Sequence, residues 1–376
     1  MTLKRTPLYS AHQKLGGKLI EFGGWEMPVQ YTSITDEHLA VRQAAGIFDI
    51  SHMGEVWVGG DGAEEFLNRT LTNDVRKLAP GQGQYTLMCN ERGGTVDDLY
   101  VYRLNATDFL LILNASRMAA DVPWLEQANA GRAELRDLSG QLAAVAVQGP
   151  RVAGFIDAAL PGAAVGGTEV QKISDLKKNQ IGLFILEGAT LYVARTGYTG
   201  EEGFEIVAPA EKIEAVWNRL LEAGRPAGLK PAGLGARDTL RTEMGYPLYG
   251  HELDEQTTPL EAGVGFFVAL EKGAFTGRSV LAEQKAQGVA KKLVAFKMTG
   301  KSAPPRPHYP IWANGASVGV VTSGTQSPTL NLGIGLGYVP PALAKPGTPI
   351  EIEIRGKPFA AVVAPKPLYR PGPAGV

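Results

Sequence analysis

Alternating hydrophobic and polar positions dominate the chain, and helical spacing is confined to a few segments. Segments with apolar residues at intervals of three and four, which is typical of amphipathic helices, are 36–45, 61–71 and 210–224. The third is the clearest, because one apolar stripe runs from Ile213 to Leu221 and Gly224 follows as a stop signal. For the other two helices, Asp36 and Asp61 are the predicted start signals.

Short period-two patterns separated by turn residues predict many β-strands. Those before residue 210 are 54–60, 84–90, 95–104, 108–115, 143–150, 182–196 and 203–209. Past residue 290 almost every segment has this pattern, which predicts a separate small all-β domain, either a sandwich or a barrel. Upstream, strands and helices follow one another without the regular order of parallel-sheet proteins. The sequence therefore predicts an α+β fold, with the polar stretch 284–292 as a linker to the all-β domain.

The composition narrows the class of protein. The length of 376 residues indicates two or three domains, at roughly 150 residues per domain. Cys89 is the only cysteine, which excludes an intrachain disulfide and every CxxC site. The five histidines lack the spacing of a helix-borne zinc site, and no apolar run approaches the roughly 18 residues of a membrane span. The N-terminal residues resemble no signal peptide, so we expect a cytoplasmic protein with no membrane or nucleic-acid partner.

The charge distribution is asymmetric although the net charge is only −1. From residue 285 onward the chain has eleven Lys and Arg against two acidic residues, Glu351 and Glu353. This excess of about +9 leaves the preceding residues with a charge of about −10. Such a division indicates an acidic partner or ligand for the C-terminal part, with a solvated basic face as the alternative.

Two adjacent carboxylates interrupt an otherwise apolar and aromatic strand pattern. Asp97 and Asp98 follow the glycine turn 89–95 directly. Because side chains alternate across a strand, we expect the two carboxylates to point to opposite faces and not to form a proton-sharing pair. A carboxylate among apolar residues needs a partner, either backbone N–H groups at the turn or a ligand with cationic or N–H groups.

Two further charged residues stand beside glycine-rich loops. Glu205 lies between two apolar residues in the strand that follows the glycines of 197–203, an unusual place for a carboxylate without a donor. Arg237 follows the loop 231–236 and leads into a predicted helix. A guanidinium at that place suits a carboxylate or the edge of a planar ring, and an ordinary ion pair with Asp238 is the alternative.

Several segments together resemble one known family, in the order in which that family has them. They are RTPLYSAH (5–12), FGGWEMPVQY (22–31), GIFDISHMGE (46–55), YTLMCNERGGTVDDLYVY (85–102), VQGP (147–150), RTGYTGEEGFEI (195–206), PAGLGARDTLRTEMGYPLYGHELDE (231–255) and TSGTQSPTLNLGIGLGYV (322–339). The family is the glycine cleavage T-protein, a tetrahydrofolate-dependent aminomethyltransferase. Related sarcosine- and dimethylglycine-oxidising enzymes share the DD and GYTGE pieces but carry a fused flavin domain for which this chain has no room.

The resemblance implies a fold of three domains around a central folate pocket. The first two domains are α+β and interleave along the chain, and the third is a small β-barrel, in agreement with the all-β tail. The implied division is 1–50 plus 138–245 for the first domain, 51–137 plus 246–283 for the second, and 284–376 for the barrel.

The resemblance also implies a reaction and its residues. Asp98 corresponds to the catalytic aspartate of the family. The implied folate-binding residues are Met53, Tyr85, Asn114, Tyr198, Glu205, Arg237 and Tyr369. The reaction transfers the one-carbon unit from the aminomethyl-dihydrolipoyl arm of the lipoylated H-protein to tetrahydrofolate, the co-substrate, and requires no metal and no prosthetic group. A folate-dependent demethylase of a small molecule and a non-catalytic folate-binding assembly factor remain as alternatives.

Overall fold

The computed structural model describes residues 2–371 as short helices among many strands. The α-helices are α1 (Tyr9–Lys14), α2 (Ile34–Gln43), α3 (Ala63–Thr70), α4 (Met118–Asn129), α5 (Ile156–Ala159), α6 (Ile213–Gly224), α7 (Leu234–Met244) and α8 (Arg278–Gln287). The strands are β1 (Lys18–Phe22), β2 (Trp25–Gln30), β3 (Ala45–Asp49), β4 (Gly54–Gly59), β5 (Gln82–Cys89), β6 (Thr95–Arg103), β7 (Phe109–Leu113), β8 (Glu134–Asp137), β9 (Leu142–Gln148), β10 (Gly166–Gly167), β11 (Ile181–Leu186), β12 (Ala189–Ala194), β13 (Gly203–Pro209), β14 (Leu229–Pro231), β15 (Lys292–Met298), β16 (Pro310–Ala313), β17 (Ala316–Ser327), β18 (Leu332–Val339), β19 (Pro349–Ile354) and β20 (Lys357–Ala364). Within residues 2–371, no helix has the length and apolarity needed to cross a lipid bilayer.

Most of these strands belong to two sheets and one barrel. The larger sheet has the order β10-β11-β12-β13-β9-β3-β14 and is antiparallel except where β14 runs parallel to β3. The smaller sheet has the order β5-β6-β7-β4-β8, and β1 and β2 form a separate hairpin. The barrel has the order β15-β18-β17-β16-β19-β20 and closes because β15 also pairs with β20. The predicted α+β class is confirmed, and the all-β tail is a barrel, not a sandwich.

Of the three helices predicted from apolar spacing, two begin differently from their predicted start signals. Helix α2 begins at Ile34, before Asp36, because the Ser33 hydroxyl accepts a hydrogen bond from the Asp36 backbone N–H at 3.1 Å and caps the helix. Asp61 does not cap α3, which is preceded by Gly62 and has no side-chain cap. The third helix, α6, forms where its pattern predicts it.

Every predicted strand before residue 210 is present, and one of the patterns contains two strands. The pattern 182–196 is divided by a tight turn at Glu187 and Gly188, which both have positive φ angles, of 50° and 80°. Strands β11 and β12 therefore form a hairpin. The predicted linker 284–292 is partly helical, because α8 continues to Gln287.

The chain forms two compact units. The first contains the described residues up to Thr86 together with Leu99–Arg237, and the second contains Leu87–Asp98 together with Asp238–Pro371. The tip of the hairpin of β5 and β6 thus belongs to the second unit, and α7 passes from one unit to the other after Arg237. The three-domain division given above stays a prediction.

The first unit is layered around its seven-stranded sheet. On one face, α6 contributes Trp217, which is fully buried in the main apolar core with residues of β9 and β13. Full burial of a large apolar side chain of this kind stabilises the fold by about 1.5–3 kcal/mol. The other face packs against the smaller sheet through Tyr102, Leu110 and Ile181. Because side chains alternate along β13, Glu205 lies on this second face.

The second unit has its own core inside the barrel. Apolar side chains from its strands fill the interior, among them Phe296, Ile311, Val321, Ile352 and Val363. The C-terminal half of α7 is fixed to this barrel by Arg241, which donates to the Ser323 hydroxyl at 2.7 Å and to the Glu252 carboxylate at 2.9 Å. These charge-assisted bonds hold a fully buried guanidinium and so keep the helix end in place.

Candidate active site

The turn between β5 and β6 is held by its own hydrogen bonds. The Gly93 N–H donates to the Asn90 carbonyl at 2.9 Å, and Gly93 has a positive φ of 79°, which glycine adopts without strain. The Asn90 side-chain oxygen accepts from the N–H groups of Arg92 and Gly94 at 3.0 and 3.1 Å. The glycines and asparagine of this segment therefore give β6 a defined starting point.

The hairpin tip is also fixed from outside the turn. The Thr95 N–H donates to the carbonyls of Asp254 and Thr257, both at 3.0 Å, and the Thr95 hydroxyl donates to the Thr257 carbonyl at 2.9 Å. Gly94 leaves no space for a side chain, because a Cβ there would lie 1.8 Å from the Glu255 carbonyl oxygen. The start of β6 is thus docked closely on the segment 254–257.

The two aspartates of β6 have different surroundings. Asp97 is fully buried, whereas Asp98 is half-buried. Alternation along the continuous strand β6 places the two carboxylates on opposite faces. Burial does not distinguish these faces, because Val96 and Tyr102 on the Asp98 face are also buried, but Asp98 is the more accessible of the two carboxylates.

Arg237 lies on the first turn of α7 and faces an aromatic ring. Its Cζ is 4.9 Å from the centre of the Tyr198 ring, a cation–π contact. Its Nη1 is buried and has no hydrogen-bond partner among residues 2–371. Burial lowers the pKa of Arg237, against the opposing effects of Glu205 and Tyr198. Asp238, the alternative ion-pair partner, pairs with Arg241 at 2.7 Å. A buried donor without an acceptor lowers the free energy of unfolding by about 1–3 kcal/mol, and a bound acceptor would recover this loss.

Glu205 has the donor that its position among apolar residues requires. The Thr196 hydroxyl donates to its carboxylate at 2.7 Å and lies 2.9 Å from the Tyr102 hydroxyl. Glu205 and Met53 line one small cavity of about 20 Å³, which has room for a single water molecule. We call Arg237, Tyr198, Glu205 and Met53 the Arg237 cluster.

Gln148 holds the loop that carries Tyr198, a role that the sequence patterns did not predict. Its side-chain N–H donates to the Thr196 carbonyl at 3.0 Å, and its side-chain oxygen accepts from the Thr199 hydroxyl at 2.9 Å. Position 197, between Thr196 and Thr199, requires glycine, because a Cβ there would lie 1.8 Å from the Gln148 side-chain oxygen. The one available signal was the VQGP segment, which contributed to the family resemblance without a stated role.

His52 is a second residue that the sequence patterns missed. It precedes Met53, and its ring meets the Phe22 ring edge-on at a centroid distance of 5.8 Å. Burial lowers the pKa of His52 to about 4, the charge of Asp49 opposes this shift, and the charge of Arg237 adds to it. The imidazole is therefore neutral near pH 7. Its Nδ1 is buried without a hydrogen-bond partner among the residues that the structure describes.

The remaining predicted site residues are divided between the two units. Tyr85 on β5 and Asn114 directly after β7 are half-buried in the first unit, which also contains the Arg237 cluster. Tyr369 belongs to the second unit, where its N–H donates to the Glu243 carbonyl at 3.2 Å. Asp98 belongs to the second unit as well.

Two family models match the chain over nearly its whole length. The model described as the GCVT N-terminal domain matches residues 8–272, and the glycine cleavage T-protein C-terminal barrel domain matches residues 291–370. The chain belongs to the glycine cleavage T-protein family. The resemblance based on the sequence motifs is thereby confirmed, and the barrel domain of the T-protein family coincides with the closed barrel β15–β20.

Individual members of the T-protein family match from end to end. An aminomethyltransferase of Bacillus cereus is 48% identical over 372 residues, which cover 98% of this chain and 99% of the relative. One from Bacillus mycoides is 47% identical with the same coverage. The crystal structure of glycine cleavage system aminomethyltransferase T from Bartonella henselae superimposes with a TM-score of 0.90 at 35% identity, and covers 98% of this chain and 99% of that chain.

Proposed function

We propose that this chain is the aminomethyltransferase of the glycine cleavage system. It takes the one-carbon unit from the aminomethyl-dihydrolipoyl arm of the lipoylated H-protein and transfers it to tetrahydrofolate, with release of ammonia and 5,10-methylenetetrahydrofolate. The observation that carries this proposal is the 48% identity to a named aminomethyltransferase across 98% of the chain. The matches of the N-terminal and barrel domains support it independently.

The Arg237 cluster fits a folate chemically. The pterin ring is planar and has acceptor atoms and N–H donors along its edge. Arg237 offers a buried donor without a protein partner among the described residues, and Glu205 offers a carboxylate that accepts from N–H groups. Tyr198 adds an aromatic face beside the guanidinium. Because the cluster contains a donor that no described residue satisfies, ligand binding there recovers a hydrogen bond that folding leaves unmade.

Asp98 is the residue that we propose for the chemical step. During the transfer, the C–N and C–S bonds of the aminomethyl group break, and its carbon becomes bonded to N5 and N10 of the folate. The two protons displaced from these nitrogens balance those that the leaving ammonia and the thiol gain. A carboxylate held in place beside the reacting nitrogen accepts a proton from it or stabilises the positive charge that develops there. The docking of the hairpin tip supports this role, because it holds the start of the strand that carries Asp98.

The decisive experiment is to measure ammonia release from glycine-loaded, lipoylated H-protein with and without tetrahydrofolate. We expect the folate to accelerate the release strongly. Absence of release, with tetrahydrofolate still bound in a direct titration, would contradict the transfer reaction. That outcome would leave the folate site to another one-carbon donor or to a binding role.

A further inference from the structure

Helix α2 is tied to the start of α7, the helix that carries Arg237. Glu37 of α2 is fully buried, and its Oε2 accepts a hydrogen bond from the Gly233 backbone N–H at 2.8 Å. Gly233 directly precedes α7, and its carbonyl accepts from the Arg237 N–H at 3.1 Å. The backbone of Arg237 is therefore only two hydrogen bonds away from the Glu37 carboxylate.

The same carboxylate also fixes the segment that precedes α2. Its Oε1 accepts from the backbone N–H groups of Tyr31 and Thr32 at 2.6 and 2.9 Å. Glu37 thus accepts three backbone hydrogen bonds and joins two segments that are about two hundred residues apart in the chain. A carboxylate can accept all three bonds with two oxygens, whereas an amide of the same shape has only one acceptor oxygen.

Arg42, near the other end of α2, is tied to the loop that carries Tyr198. Its Nη1 donates to the Thr199 carbonyl at 2.7 Å and to the Glu201 carboxylate at 2.8 Å. The side chains of this ion pair are only 3% and 6% exposed, so its geometry is protected from water. Tyr198 directly precedes Thr199. A single helix therefore fastens both partners of the contact between Arg237 and Tyr198.

We propose that Glu37 and Arg42 are positioning residues that set the affinity for folate. Through the start of α7 and the loop 196–201, they hold Arg237 and Tyr198 at the separation at which these two residues bind the ligand. This inference rests on the proposed function, since it assigns Arg237 and Tyr198 to folate. A displacement of a binding group by about 1 Å is enough to weaken a binding site severely.

Glu37→Gln and Arg42→Lys test the proposal in the full chain. The first variant removes an acceptor oxygen and the second removes the fork of the guanidinium, while both keep the side-chain length close to the original. We expect the Kd and the KM for tetrahydrofolate to rise by about tenfold, with kcat within about twofold of the wild type. The measurements are tetrahydrofolate titration under nitrogen and ammonia release at saturating H-protein.

Asp157→Asn is the matched control. Its carboxylate accepts from the N–H and the hydroxyl of Ser174 at 2.9 and 2.6 Å, and it belongs to α5, which carries no residue of the Arg237 cluster. This variant should lower the Tm and leave the Kd for tetrahydrofolate unchanged. If Glu37→Gln and Arg42→Lys behave in the same way, their role is only structural and the proposal is overturned. If Glu37→Gln does not fold, Arg42→Lys decides alone.

Arg237→Lys separates this inference from the proposed function. If Arg237→Lys leaves the Kd for tetrahydrofolate unchanged, Arg237 does not bind folate and the proposed folate site fails together with the inference. If Arg237→Lys weakens binding but Glu37→Gln and Arg42→Lys do not, only the positioning role is wrong. If the positioning role is correct, Glu37→Gln adds little to the effect of Arg237→Lys in the double variant, because both act through one contact.

Discussion

Asp97 and Asp98 are adjacent in the chain, but Asp97 is fully buried whereas Asp98 is half-buried. We predict that Asp98→Asn lowers kcat by about 10²–10⁴-fold, because the variant loses the group that handles the proton or the charge, and that it still binds tetrahydrofolate. Ammonia release and a binding titration measure the two quantities. Asp97→Asn is the control on the opposite face, and we expect it to lower the Tm more than kcat. Near-normal turnover of Asp98→Asn would remove Asp98 from the mechanism.

The Arg237 cluster leads to a different prediction, which concerns binding. Arg237→Ala and Glu205→Ala remove a buried donor and a carboxylate that we assign to the folate. We expect the Kd for tetrahydrofolate to rise by about 10–100-fold, equivalent to about 1.4–2.8 kcal/mol. The kcat at saturating folate should fall much less. An unchanged Kd in a direct titration would contradict the assignment of either residue.

We predict that the folding stability of the protein depends on pH through Glu55 on β4. Burial raises the pKa of Glu55 well above its usual range, and the nearby Asp137 adds to the shift. The folded protein therefore keeps the carboxyl protonated at pH values at which the unfolded chain, with an ordinary pKa of about 4.3, has released the proton. The stability contribution is complete below the unfolded pKa and is lost as the pH rises towards the folded pKa.

Glu55→Gln removes this titration without changing the shape of the side chain. The Tm of the variant should exceed that of the wild type by an amount that grows as the pH rises above the unfolded pKa of about 4.3. Thermal unfolding at several pH values measures the difference. A difference that stays constant with pH would show that the ionisation of Glu55 does not control the stability.

At the scale of the elements, the close packing of the hairpin tip against residues 254–257 holds the start of the strand that carries Asp98. Gly94→Ala would place a Cβ 1.8 Å from the Glu255 carbonyl oxygen, so the backbone has to move. We expect a destabilisation of about 1–3 kcal/mol and a lower kcat, because β6 begins at the next residue and carries Asp98. Gly140→Ala is the control, since a Cβ there has nothing within 4 Å. Equal stability and equal kcat in the two variants would contradict a tightly docked hairpin.

The elements that the sequence predicted are those whose apolar pattern is visible in a short window. Helix α6 buries one stripe of apolar residues, and strands such as β6 and β9 are buried along most of their length. The hairpin of β1 and β2 was missed because β1 is largely exposed. Helix α4 was missed because it contains Pro123 and buries only a few scattered residues. Asp36 and Asp61 did not mark the helix starts, because Ser33 caps α2 and α3 begins without a side-chain cap.

The residues of the candidate site differ in how clearly the sequence marks them. Glu205 and Arg237 stand out locally, because a charge in an apolar strand or after a glycine loop is unusual. The supporting residues Gln148, Glu37 and Arg42 do not stand out in this way. Their roles depend on partners that are 48–196 residues away in the chain, and no short window contains such a pair.

At the scale of the whole molecule, the basic C-terminal part leads to a prediction about association. The excess of eleven Lys and Arg over two acidic residues attracts an acidic partner at low salt. We expect the KM for H-protein to rise between about 50 mM and about 300 mM NaCl, where the screening length shortens, with kcat unchanged. The double variant Lys301→Glu/Lys357→Glu changes two exposed positions and should make the KM for H-protein less dependent on salt. A KM that does not change with salt would show that the basic residues form a solvated face and do not attract H-protein.

The docking of the hairpin tip has a consequence for the synthesis of the enzyme. The carbonyls that accept from Thr95 and Asn90 lie 162 and 165 residues later in the chain. A ribosome that adds about 5–20 residues per second needs roughly 8–30 s to produce them after the tip itself has been made. During that interval, Asp98 is already part of the nascent chain but its supporting segment does not exist. The hairpin tip therefore acquires its docked geometry late in translation, through the closure of a long loop, and not when Asp98 is added.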